Sequence, residues 1–268
     1  MDPTLSSFTR NLGSVEENWT RSTSGGTGIA VFGALLNRLI DGKHVISSVE
    51  NLLDSHPLLR SQIVENAKSK LSMQVSDSYS ASVSYVSERT WPSVSGEGHV
   101  GIVVFPKDHS DKQGSLALDK VINEEMNLNF LNADGKPAPP VRVFHVIFYP
   151  NNARSQTIIA LKFHSGVLDR HSSSVIAREF LSTLSSTVEG TLSSSKDSKE
   201  GSILSPLEDF VPKGKASKGF LQKGIDAVGY AVNAKKYSLL PFQPSFSPSN
   251  KASFESNVVS LNLGKNGE

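Results

Sequence analysis

Two apolar runs separated by a short polar break constrain this chain more than any other feature. Val141 to Tyr149 (VRVFHVIFY) and Gln156 to His164 (QTIIALKFH) are dense in β-branched and aromatic residues, and the turn-forming Pro150-Asn151-Asn152 lies between them. Two such runs joined by so short a connection predict an antiparallel hairpin. A helix from about Ser172 to Val188 should follow, because Val175, Ile176, Phe180, Leu181 and Leu184 recur at helical spacing.

The segments before the hairpin read in the same way. Residues 27–36 (TGIAVFGALL) predict a buried strand introduced by Gly25-Gly26. Val45, Val49, Leu52, Leu53 and Leu59 predict a helix that Asp41-Gly42 opens and Pro57 closes. Residues 60–87 suggest two or three short strands, and His99 to Phe105 another. Ser115 to Asn127 has helical character, with Leu116, Leu118, Val121, Ile122 and Met126 roughly on one side. Strands and helices that alternate irregularly around a central hairpin predict a mixed α/β class on a largely antiparallel sheet packed by helices.

The C-terminal part differs in composition. Thr191 to Ser202 is Ser/Lys-rich, so residues 191–204 are expected to be a flexible linker after a lobe formed by residues 1–190. Residues 205–268 hold several prolines and Lys-Gly pairs, a short helical pattern over Gly219 to Ala234, and a strand pattern over Ser253 to Leu263. A strand near the end of a sequence needs a partner, and truncation of a longer protein is one explanation for it.

Charge and composition exclude several functions. With 27 basic and 26 acidic residues scattered along 268, no basic block suits nucleic acid or an anionic membrane surface. No apolar stretch is long enough to span a bilayer. Asn18-Trp19-Thr20 has glycosylation spacing, but no secretory signal precedes it. The absence of cysteine removes disulfides, thiolate metal sites and a Cys nucleophile, and the expected setting is cytoplasmic. HExxH, GxSxG and metal-binding acidic clusters are missing, so no metal is expected. Gly25-Gly26-Thr27-Gly28 precedes a strand instead of joining a strand to a helix, which removes the dinucleotide and P-loop readings.

One segment remains as a candidate site. Phe163-His164-Ser165-Gly166-Val167-Leu168-Asp169-Arg170 falls where the strongest strand ends and a helix begins, a junction whose side chains commonly face a cleft. The spacing leaves two readings open: His164 and Asp169 serve chemistry, or His164 packs and Asp169 favours the helix N-terminus. His145, inside a strand, is expected to be a satisfied core or face histidine. His56, at a helix end before Pro57, is expected to pack or to meet the last carbonyls.

The order of these segments resembles the chloramphenicol-acetyltransferase-like superfamily, which includes condensation domains and acyl-CoA-dependent acyltransferases. Leu52 to Arg60 (LLDSHPLLR) is similar to its helix followed by HPxLR, and Arg10 to Gly13 with Glu16 or Glu17 is similar to its opening strand region. Residues 164–169 occupy the place of its HHxxxD motif, and Pro206 to Pro212 (PLEDFVP) resembles the stretch towards the crossover between its halves. The resemblance extends to uncharacterised plant condensation-domain proteins and covers the N-terminal half of the family's length. It implies one lobe of a two-lobe sandwich, with residues 205–268 leading towards an absent second lobe.

The family's second histidine is the general base that deprotonates an acceptor attacking an acyl thioester, and its Asp holds the motif's turn, usually with an Arg. Carried over, His164 takes the first histidine position, Ser165 the second and Asp169 the aspartate, with Arg170 where glycine is usual. A serine hydroxyl has no basicity near neutral pH. The resemblance therefore implies acyl transfer from acyl-CoA, as co-substrate and not bound cofactor, to a small-molecule alcohol or amine, impaired at Ser165 and by the missing lobe. The alternatives are a non-catalytic binding protein, with self-association or a protein partner, and a fragment of a longer acyltransferase. A shift of register that lets His164 act as base is a further expectation to test.

Overall fold

The computed structural model describes residues 7–23, 27–77, 80–85, 99–104, 117–130, 140–191 and 205–212, with Ile225, Val228 and Gly229. The helical pattern over 219–234 lies almost wholly outside these residues; the linker beyond Thr191 up to Leu204 and the strand pattern over 253–263 lie entirely outside. The chain divides into two compact units; the second begins at Ser205 and its described part holds the 3-10 turn Leu207–Phe210 and the helical residues Ile225, Val228 and Gly229. Every other element belongs to the first unit.

Among the described residues, that unit holds two sheets. Strands β1 (Ser7–Asn11), β3 (Ser61–Glu65), β4 (Leu71–Ser76) and β7 (Val141–Arg142) form an antiparallel sheet in the order β1-β4-β3-β7. Strands β2 (Ile29–Leu36), β5 (Ser80–Tyr85), β6 (His99–Val104), β8 (Phe144–Asn151) and β9 (Gln156–His164) form a second sheet in the order β2-β9-β8-β6-β5. Its β2, β9 and β8 are antiparallel neighbours, whereas β6 runs parallel to both β8 and β5. The class is mixed α/β with mostly antiparallel sheets packed by helices.

The hairpin forms as its sequence requires, closed by a 3-10 turn at Asn152–Arg154. The Asn151 side chain caps that turn by accepting from the Arg154 N–H, and Ser155 takes the left-handed conformation at its end. The first run is not one strand, however. It breaks at Val143, whose N–H donates to Ser61 of the first sheet while its carbonyl accepts from His164 N–H of the second. One continuous stretch thus serves two sheets.

Among the described residues, four α-helices complete the unit. Helix α2 (Gly42–Ser55) starts at Asp41, whose carboxylate accepts from the Lys43 N–H, and ends before a 3-10 turn over Pro57–Arg60. Helix α4 (Arg170–Glu189) ends at Gly190, which takes the left-handed conformation that a C-terminal cap favours. These two helices bury Val45, Val49, Leu52 and Leu53 together with Ile176, Phe180 and Leu184 in the main core, where Phe144, Leu161 and Phe163 also lie. His56 caps α2 through its N–H to Leu52 O, and its ring Nε2 lies 2.8 Å from Glu179 Oε2 on α4.

Helix α3 (Leu118–Met126) joins a separate small cluster: Val121 packs with Ile147, Tyr149, Ile158 and Ala160. By strand alternation these residues lie on the sheet face opposite Leu161 and Phe163. Gly33 of β2 permits the approach, because a Cβ there would stand 2.8 Å from Leu118 and 2.9 Å from Ile122.

Helix α1 (Ser14–Thr23) was not expected from the sequence. Arg10 at the end of β1 fixes its start through a bidentate ion pair of 2.6 and 2.7 Å with Glu16, which also accepts from the Gly13 N–H. Among the described residues no helix is long and apolar enough to cross a membrane.

Candidate functional site

The junction between β9 and α4 is built around an imidazole that water does not reach. His164 is fully buried, and its N–H donates to Val143 O at 2.9 Å. Its Nδ1 accepts from the Gly166 N–H at 3.0 Å, and its Nε2 lies 3.2 Å from Thr23 Oγ1. The Thr23 hydroxyl proton is already given to Thr20 O at 2.6 Å, so Thr23 accepts and His164 Nε2–H donates. Both ring nitrogens are therefore committed in one neutral tautomer.

Burial reinforces that state. Removing an imidazolium from water is costly, and this pushes the His164 pKa down to about 4, against a smaller upward effect of its backbone hydrogen bond. Gly166 is required by the same packing, since a Cβ there would collide with Thr20 Oγ1 and the His164 ring. His164 thus ties the turn to α1 and is not placed to collect a proton from a ligand. A shift of register that recruits it as base finds no support in this geometry.

Ser165 has a different environment. Its N–H donates to Gly28 O at 2.9 Å, which sets the turn against β2, and its side chain is half-buried at a cleft of about 570 Å³. Gly28 and residues Ile29 to Phe32 of β2 form one wall of the cleft, Ile122 and Met126 of α3 another, and Trp19 of α1 borders it. Asp169 and Arg170 complete the lining. The cleft is mainly apolar, with its polar groups gathered where α4 begins.

Asp169 is the N-cap of α4. Its carboxylate accepts from the Ser172 N–H at 2.7 Å, and this bond foremost holds its pKa below the usual carboxylate value. Among the described residues no arginine forms an ion pair with it. Arg170, the first residue of the helix, is exposed. The structure therefore brings Ser165, Asp169 and Arg170 to one cleft and sets His164 behind it.

Behind His164 lies a polar group that sequence reasoning missed. Lys162, two residues back on the same strand face, is fully buried; its Nζ donates to Leu128 O at 2.7 Å and lies 3.6 Å from Glu125 Oε2. Glu125, equally buried, sits on α3 beside Met126 and three residues from Ile122, so the pair holds a wall of the cleft to the sheet. Phe130 fills the space between: its ring centroid is 5.1 Å from that of His164, 5.0 Å from that of His145, and 5.2 Å from Lys162 Nζ. His145, the register partner of Lys162, has its pKa pushed well below the usual histidine value, first by burial and then by the Lys162 and Arg142 charges. Among the described residues no group of three or more His, Asp and Glu is arranged to hold a metal ion.

No family model matches this sequence, and no curated protein does. Among solved structures, the chain is similar to the starter condensation domain of rhizomide synthetase at 13% identity and a TM-score of 0.48, over 84% of this chain and 48% of that one. It is similar to polyketide synthase associated protein 5 from Mycobacterium tuberculosis at 17% identity and a TM-score of 0.42, over 67% and 33%. It is also similar to the tallysomycin biosynthesis protein TlmII at 15% identity and a TM-score of 0.43, over 69% and 39%. The chain spans about half the length of the first of these and less of the others.

Proposed function

We propose that this chain is an acyltransferase-like lobe that retains an acyl-binding cleft and is impaired in acyl transfer. One observation carries the reading: the residue that reaches the cleft at the motif's second position is Ser165, while the histidine beside it is buried with both ring nitrogens bonded. A hydroxyl donates a hydrogen bond to a ligand but does not take a proton from an attacking alcohol or amine near neutral pH. The apolar walls from β2 and α3 suit the alkyl part of an acyl group, and acyl-CoA is the donor that the motif implies.

The test is release of free thiol from short and medium acyl-CoAs in the presence of a primary alcohol or amine. The expected result is a rate no higher than that of Ser165→Ala, with Ser165→His faster by about 10²–10⁴-fold. Wild-type turnover that disappears in Ser165→Ala while the fold persists would make the serine itself catalytic and overturn the reading. Sequencing the transcript past Glu268 tests separately whether a second lobe accompanies this one.

A further inference from the structure

The polar end of the cleft contains a cation for which acyl transfer supplies no role. Arg170 lines the cleft together with Ser165, it is exposed, and among the described residues no carboxylate pairs with it. Its position is the one at which the motif usually carries glycine. The remaining wall is alkyl and aromatic: Ile29 and Val31 of β2, Ile122 and Met126 of α3, and Trp19.

We propose that the cleft binds a medium- or long-chain carboxylate, with its alkyl chain against β2 and α3 and its head on the Arg170 guanidinium and the Ser165 hydroxyl. This deepens the acyl-binding reading and rests on it. A guanidinium presents parallel N–H donors that match the two oxygens of a carboxylate, and a neighbouring hydroxyl adds one more donor. An apolar wall discriminates against small hydrated anions, so neither half of the ligand suffices alone. Among the described residues Asp169 is the one anion lining the cleft, and its carboxylate already accepts from the Ser172 N–H at the start of α4. The cleft is thus built to retain an acid, the hydrolysed form of the acyl group that a transferase would pass on.

Trp19 supplies the readout. The chain has two tryptophans, and Trp91→Phe leaves Trp19 as the sole emitter at the cleft. Decanoate, decanol and decylamine are titrated against this protein, and against the same protein carrying Arg170→Gln or Arg170→Lys, with circular dichroism confirming the fold of each. The expected result is decanoate binding at least about tenfold tighter than decanol, a preference that Arg170→Gln abolishes and Arg170→Lys partly keeps. Equal binding of decanoate and decanol, unchanged by Arg170→Gln, would overturn the carboxylate site and leave the acyl cleft standing. Tightest binding of decylamine would assign the rim to Asp169 and also overturn the proposal. Binding of none of the three would remove both the carboxylate site and the acyl cleft.

Discussion

The two faces of the five-stranded sheet are built on opposite terms. Towards α2 and α4, β8 and β9 present Phe144, Val146 and Phe148 with Ile159, Leu161 and Phe163, and the Phe144 and Phe163 rings stack at 5.2 Å. Towards α3 the same strands present His145, Lys162 and His164 along with Ile147 and Ala160, all of them buried. Neighbouring residues of one strand thus enter a dry core and a polar, hydrogen-bonded layer. The first arrangement gains free energy from area removed from water. The second gains little net and must satisfy every group it buries. What the costly face provides is position, because α3 and the α1 contact to His164 both border the cleft.

Breaking the apolar face should have the largest effect. Phe180 is fully buried between α4 and the sheet, and Phe180→Ala is expected to cost about 3–5 kcal/mol in urea unfolding. The counterpart on the polar face is Lys162→Met, which removes the buried cation beside the Glu125 carboxylate and should cost a similar amount, about 3–5 kcal/mol. The two faces part company in the double variants. Adding Glu125→Leu to Lys162→Met should recover most of the loss, whereas no second truncation recovers Phe180→Ala. If the double variant is as unstable as Lys162→Met alone, the pair is not the compensated ion pair that the geometry describes.

The faces also differ in their response to acid. The His164 pKa is about 4 in the folded chain against about 6.5 when unfolded. Above pH 6.5 both states are neutral and the group contributes no pH dependence. Between pH 6.5 and 4 the unfolded chain takes up the proton and the folded one does not, so stability falls as pH falls. The loss from pH 7 to pH 5 should be about 2 kcal/mol from this residue, and His145, also depressed, acts with the same sign. His164→Gln keeps a donor towards Thr23 and removes the titration. Urea midpoints at the two pH values should then lie closer together, and an unchanged gap would contradict the buried neutral state.

The same contrast decides what the sequence revealed. The apolar face was legible because its residues follow simple periods: the hairpin, α2 and α4 fall close to where β-branched runs and helical stripes predict them. Helix α1 was not, since the residues it buries are Thr20 and Thr23 and no apolar stripe marks it. Lys162, between Leu161 and Phe163, reads as a solvent-facing position, and its partners Glu125 and Leu128 lie more than thirty residues earlier. The split of Val141–Tyr149 between two sheets was not legible either, because Val143, where it breaks, lies between β-branched and aromatic residues that continue the strand pattern on both sides. Of the site, the 164–170 segment was visible as a motif. The directions in which His164 and Ser165 face depend on Thr23 and Gly28, more than a hundred residues away.

Asp169 gives the smallest effect and the finest distinction. As the N-cap of α4 it satisfies one of the N–H groups that a helix leaves without a partner, so Asp169→Ala should lower stability by about 1 kcal/mol. Asparagine caps nearly as well and carries no charge. Asp169→Asn should therefore keep the stability while removing the one negative charge that lines the cleft among the described residues. If the residue acts solely as a cap, Asp169→Asn should bind decanoate at least as tightly as wild type. Weaker binding despite a retained melting temperature would show that the carboxylate orients the turn or Arg170, a positioning role beyond the cap.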